Sequence, residues 1–301
     1  MISAIVISHD DGPRILRAVR SVVEQRCDEP IEVIVVASGS GNAADLVRQR
    51  YPSVAVIELD RPALPGEARN AGLRAASGDF VSFPGSHVEL PPGSLAARVR
   101  AHGLGHTMVT GTMLNGTTTR AGWASYFLDH STSLPGRPAG VLDVPPMHCS
   151  YERKALVEVG GFPEDMRAGE DTVVNRALFD RGHRAYRAAD VTVVHHSRCE
   201  RWGQLVAHHF SRGRAFGRIL RHDPRRHRIV CTYVPRRLSR TGADVRRWGD
   251  GLRREYRRVW FLVFAGTLAA WLGIVLELLR PTRVQASTTS PAVVATMTRQ
   301  K

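Results

Sequence analysis

Ile31-Glu32-Val33-Ile34-Val35-Val36 is a near-continuous β-branched run that breaks into Ala37-Ser38-Gly39-Ser40-Gly41. A strand with one solvated face alternates apolar and polar residues. A run without alternation is the pattern of a parallel strand covered on both faces. Parallel neighbours need crossover connections, so this hexapeptide commits the chain around it to βαβ units. The flanks supply them. Ser3 to Ser8 is a second strand-like run, closed by the polar turn His9-Asp10-Asp11-Gly12-Pro13. Ile15, Leu16, Val19, Val22 and Val23 then recur at helical spacing. Strands at Val54 to Leu59 and Asp79 to Phe83 alternate with a helix at Glu67 to Ala76, and a further helix covers Ser94 to Ala101. The prediction is an α/β fold with a mostly parallel, Rossmann-like sheet whose ligand crevice lies at the strands' carboxyl ends. Residues 107–150, rich in Thr, Gly and Pro, read as an insertion facing an acceptor. A helix after Asp171 ends at Arg181-Gly182-His183, and Val191 to Val194 is a last strand.

The charge pattern separates the chain into regions. The net charge is +14, but residues 1–211 are close to neutral and residues 212–258 carry 16 Arg against 4 acids. This basic band precedes Val259 to Leu279, a 21-residue apolar stretch with one charge, Glu277. About 20 apolar residues cross a bilayer, so the stretch reads as a transmembrane helix. Trp260, Trp271 and the preceding arginines favour that over a buried core helix, and the positive-inside bias puts the globular part in the cytoplasm. An Arg band beside an apolar helix suits an anionic membrane surface. Nucleic-acid binding would need aromatic stacking or a recognised fold, and neither is evident. The expected organisation is a domain over 1–202, a basic juxtamembrane helical region over 203–258 broken at Pro224 and Pro235, a membrane helix over 259–279 and a disordered tail over 280–301. Four scattered cysteines without a C-x-x-C pair fit a reducing compartment and argue against zinc.

The chemistry concentrates in a few segments. Glu170-Asp171 follows Gly169 and the turn Val159-Gly160-Gly161-Phe162-Pro163, at the start of an apolar helical run. A carboxylate pair there can present a general base to a bound alcohol. Ile5-Val6-Ile7-Ser8-His9-Asp10, Val33 to Ser40, Ala68-Arg69-Asn70-Ala71-Gly72, Gly78 to Phe83, Gly182-His183-Arg184 and Val194-His195 complete an ordered set. In order and spacing this set resembles the family 2 glycosyltransferases, over about residues 1–220.

The resemblance implies a GT-A fold, a nucleotide-sugar donor and an inverting displacement by an acceptor hydroxyl. Asp171 matches the general base, with Glu170 beside it. Ser8, His9, Asp10, Ser38, Arg69, Ser86 and His87 match the donor-binding segments. The family's second strand usually ends in acids; here Ala37 and Ser38 stand there. Its D-x-D metal motif aligns with Gly85-Ser86-His87, so both carboxylates that would hold Mn²⁺ or Mg²⁺ are missing. His87 and His195 are the remaining candidate ligands, and two imidazoles without a carboxylate bind such ions weakly. Three readings stay open at this point. The enzyme neutralises the leaving diphosphate with Arg69, His87 or other cations; or the chain binds a nucleotide or partner without catalysis; or the register is shifted and Glu89 supplies the acid. The membrane helix suggests an acceptor that is lipid-linked or part of a cell-envelope glycan.

Overall fold

The computed structural model describes residues 1–146 and 148–280, so the tail reading for 281–301 lies outside the described residues. In chain order the strands are β1 (Ile2–His9), β2 (Ile31–Ser38), β3 (Ala55–Leu59), β4 (Phe80–Ser82), β5 (Val88–Glu89), β6 (Met108–Asn115), β7 (Gly140–Leu142), β8 (Ser150–Glu152) and β9 (Ala185–His195). The α-helices are α1 (Arg14–Val23), α2 (Ala43–Arg50), α3 (Pro65–Ala75), α4 (Ser94–Gly103), α5 (Arg120–His130), α6 (Arg153–Glu158), α7 (Glu170–Asp180), α8 (Trp202–Leu220), α9 (Arg226–Trp248) and α10 (Arg253–Leu279). They fall into two compact units: residues 1–116 with 137–196, and residues 117–136 with 197 onward.

The first unit is built on one mixed sheet of order β3-β2-β1-β4-β8-β6-β9-β5, with β7 on β9. The predicted β-branched run is β2, parallel to both β1 and β3, and Ile34, Val35 and Val36 are buried. β1, β2, β3 and β4 form the parallel part, and β8 enters antiparallel beside β4. Helix α3 lies close on this part: a Cβ on Gly72 would sit 2.3 Å from a methyl of Ile5. The core collects Ile5, Val36, Val81, Tyr151, Leu156 and Phe162 from β1, β2, β4, β8, α6 and the turn after α6.

Three expectations change. Residues 107–150 are not simply an insertion, because β6 sits inside the sheet between β8 and β9. Its Thr110-Gly111-Thr112 centre hides the strand pattern; a Cβ on Gly111 would lie 2.0 Å from the Val191 carbonyl, where the register with β9 shifts. The last strand begins at Ala185, six residues earlier than expected. Pro235 does not break the chain. Helix α9 runs through it, giving up the one backbone donor that proline lacks.

The second unit is helical. Its longest helix, α10, contains the whole apolar stretch and, among the described residues, is the one long and apolar enough to cross a membrane.

Candidate active site

The site is assembled where β1, β2 and β4 end. Parallel pairing sets His9 opposite Ser38. The Ser38 hydroxyl donates to the Ser8 carbonyl at 3.3 Å and lies 3.4 Å from His9 Nδ1. Asp10 adopts φ +51°, a left-handed conformation that Asp tolerates better than most residues. Its Oδ1 accepts the Gly41 N–H at 3.0 Å. Gly39 makes this possible: its φ is +93°, and a Cβ there would stand 2.4 Å from the Asp10 carboxylate.

Asp11, which the sequence pattern does not mark out from the rest of its turn, organises the next layer. Its Oδ2 accepts from Ser8 Oγ and the His9 N–H, both at 3.2 Å, and from the buried Ser86 hydroxyl. A parallel bridge between Ile7 and Gly85 brings Gly85-Ser86-His87 alongside the end of β1. The His87 ring meets that of His195 edge-on, centroids 4.9 Å apart. β5 holds this contact by pairing Val88 with His195, and the His196 N–H donates to the His87 carbonyl at 2.9 Å. Thus Ser8, His9, Asp10, Ser38, Ser86, His87 and His195 come together at one end of the sheet. Glu89 is engaged elsewhere, 3.0 Å from Arg17 and 3.1 Å from His196.

The second cluster centres on the start of α7. Gly169, at φ +91°, turns the chain into the helix, so Glu170 and Asp171 both fall in its first turn, where the helix dipole favours negative charge. Their side chains part there. Glu170 is buried and forms a close ion pair with Arg69, whose guanidinium also lies over the Phe162 ring at 5.1 Å. Asn70, next to Arg69 on α3, clasps Phe162: it donates to the Phe162 carbonyl at 2.8 Å and accepts its N–H at 2.9 Å. Asp171 instead lines a cleft of about 20 Å³ together with Arg69, Phe83, His148, Cys149, Tyr151 and Phe162. One carboxylate oxygen accepts the Thr172 N–H at 2.8 Å; Oδ2 has no hydrogen bond among the described residues. Burial pushes the Cys149 thiol up to about 12, and the nearby Asp171 charge adds to that. The thiol therefore stays protonated. Phe83 lines this cleft two residues before Gly85, so the two clusters adjoin along the exit of β4. A larger hollow, about 750 Å³, lies at the opposite end of the sheet beside Pro30 and Ile31.

As a divalent-cation site this end of the sheet fits poorly. The groups beside Gly85 are the Ser86 hydroxyl, two imidazoles and the Asp11 carboxylate, whose Oδ2 already accepts from Ser8, Ser86 and the His9 N–H. Among the described residues, the one set of three possible metal-ligand side chains within reach of each other is Asp129, His208 and His209, in the second unit. Mn²⁺ and Mg²⁺ prefer several carboxylate and other oxygen ligands, and the Gly85-Ser86-His87 segment offers one hydroxyl and no carboxylate.

Residues 3–160 match the family described as Glycosyl transferase family 2. The succinoglycan biosynthesis protein ExoO of Rhizobium meliloti (strain 1021) is 32% identical over 96 residues, which are 31% of this chain and 27% of that protein. The chain therefore spans about a quarter of that relative's length. Among solved structures, the mannosyltransferase PcManGT from Pyrobaculum calidifontis, in complex with GDP-Man and Mn²⁺, superposes with a TM-score of 0.60 at 19% identity, covering 92% of this chain and 87% of that one. S. aureus TarS 1–349 in complex with UDP-GlcNAc gives 0.53 at 15% identity, covering 91% and 90%. These likenesses place the fold among the GT-A glycosyltransferases.

Proposed function

Because the chain belongs to glycosyl transferase family 2, we propose that this glycosyltransferase moves a sugar from a nucleotide-sugar donor to an acceptor hydroxyl with inversion, Asp171 acting as the base. The observation that carries this reading is the divergence of the carboxylate pair. Glu170 is committed to Arg69, while Asp171 keeps an oxygen toward the cleft. In the step, the acceptor oxygen bonds to the anomeric carbon as its bond to the donor phosphate breaks. The hydroxyl proton goes to Asp171 Oδ2, and the nucleoside diphosphate leaves.

The donor is read as lying against Ser8, His9, Asp10 and Ser38, with its diphosphate toward Ser86 and His87. The missing carboxylates support transfer without a tightly held Mn²⁺ or Mg²⁺, the leaving charge being met by N–H and O–H donors at this end of the sheet. Arg69 contributes less net charge than its sequence context suggests, since Glu170 neutralises it.

The enzyme is read as attached to a membrane through α10 and its arginines, with the first unit on the cytoplasmic side. An acceptor that is lipid-linked or a cell-envelope glycan follows from that attachment and from the succinoglycan relative. Asp171→Asn tests the base. Turnover should fall by about 10² to 10⁴-fold with donor affinity retained, and unchanged turnover would remove Asp171 from the mechanism.

A further inference from the structure

Helix α10 has two sides that differ completely. Within the second unit, Val259, Val263, Gly266, Ala270, Ile274 and Glu277 are buried. Trp260, Phe261, Phe264, Leu268, Leu272 and Leu276 are exposed. At 100° per residue the exposed set fills an arc of about 160°, and Leu279 extends it. Arg253, Arg254, Arg257 and Arg258, all exposed, fall on the same arc at the helix start, and Arg280 closes its end.

The buried side is covered mainly by α8, which runs parallel to α10, with Leu128 of α5 against Gly266 and the Val230 carbonyl of α9 accepting from Trp271 at 3.1 Å. Glycines bring the two backbones together: a Cβ on Gly213 would lie 2.0 Å from the Ala270 carbonyl, and one on Gly273 would lie 2.2 Å from that of Phe210. Gly266 meets His209 and Gly217 meets Ile274, so the two helices keep the same register to within about two turns along their length. It sets Arg212 and Arg218 alongside the apolar length of α10; both are about half exposed, although Arg212 lies 3.6 Å from Asp129 and Arg218 3.4 Å from Glu277. Arg214 donates to Glu277 at 2.9 Å, and Arg221 donates to the Glu277 carbonyl at 2.6 Å. Were α10 to cross a bilayer, α8 would cross beside it and carry these exposed guanidinium groups through the hydrocarbon, where charge is strongly disfavoured. Peeling α10 away from α8 would instead strip Glu277 of Arg214, Arg218 and Arg221 and leave it only Arg280.

We infer that α10 lies in the plane of an anionic bilayer, its aromatic and leucine stripe dipped into the acyl boundary and its terminal arginines on acidic headgroups. α8 remains on the water side. An apolar arc with basic ends is the pattern of an interfacial helix. The inference rests on the membrane attachment proposed above and replaces a crossing with a tangential contact.

The test uses the full chain with Cys27 and Cys231 replaced; Cys149 and Cys199 are buried and stay. A nitroxide is placed in turn at Phe261→Cys, Leu268→Cys and Leu276→Cys. Vesicles are phosphatidylcholine with or without phosphatidylglycerol, and depth is read from collisions with oxygen and a nickel chelate. The expected result is flotation at least tenfold stronger on the anionic vesicles, with all three labels at one shallow depth. A label at Leu268 about 10 Å deeper than the other two, the profile of a crossing helix at 1.5 Å per residue, would overturn the in-plane reading and keep the attachment. No flotation on either vesicle would overturn the attachment itself. Dipolar broadening without lipid contact would assign the stripe to a second copy of this chain and overturn the inference.

Discussion

Removing the Arg69 side chain should damage the fold more than it damages charge recognition. Glu170 is 7% exposed and Arg69 17% exposed, so their ion pair is largely shielded from water. Breaking a buried pair by deleting one partner costs about 3–5 kcal/mol, because the remaining charge stays desolvated without its counter-charge. For a unit the size of the first one, each kcal/mol corresponds to about 2–4 °C in Tm, so Arg69→Met should lose about 6–20 °C. The double variant Arg69→Met with Glu170→Gln removes both charges and should recover at least half of that loss. Thermal unfolding of the full chain by far-UV circular dichroism reads the change. All five tryptophans lie in the second unit, so tryptophan fluorescence is an internal control that should move less. A loss under about 3 °C for the single variant, or a double variant no more stable than the single one, would mean that the Arg69–Glu170 pair does not hold the fold. It would also return Arg69 to the role of a free phosphate-binding cation.

Gly66 is the second residue of α3, and a Cβ there would stand 1.9 Å from the Pro163 carbonyl. Gly66→Ala must therefore shift backbone, at a cost of about 1–3 kcal/mol, and should weaken donor binding by moving Arg69 and Asn70; a Tm shift below 2 °C on thermal unfolding would contradict this. His102 is buried, and burial pulls its imidazole down to about 4 from an ordinary 6.5. The unfolded chain therefore takes up this proton first as pH falls. Stability is fully present above pH 6.5 and falls toward pH 4, by about 3 kcal/mol at most. Denaturant titrations across that range should show the slope in the native chain and a flatter one in His102→Gln.

The parallel half of the sheet was legible because buried parallel strands need uninterrupted β-branched runs, and Ile31 to Val36 and Ile5 to Ile7 supply them. β6 was not, because Gly111 and its two threonines give it neither alternation nor a run. At the site, the acid-bearing turn at Glu170-Asp171 could be read from local chemistry. The split of its roles could not, since the deciding partner, Arg69, is 101 residues away. Asp11 was passed over for its neighbours His9 and Asp10, although it gathers Ser8 and Ser86, because which of two adjacent carboxylates points inward depends on the Asp10 backbone. The apolar length of α10 was plain in the sequence, whereas its coverage by α8 rests on glycine contacts between segments about sixty residues apart.

The most direct measurement is thermal stabilisation of the full chain by UDP, GDP, CDP and dTDP, each with EDTA and with Mn²⁺. A nucleotide at 100 times its Kd adds about 2.7 kcal/mol, about 5–11 °C for a unit of this size. One nucleoside diphosphate should stabilise the first unit by such an amount, equally in EDTA and in Mn²⁺. Stabilisation that appears only with Mn²⁺, or none with any nucleotide, would contradict this.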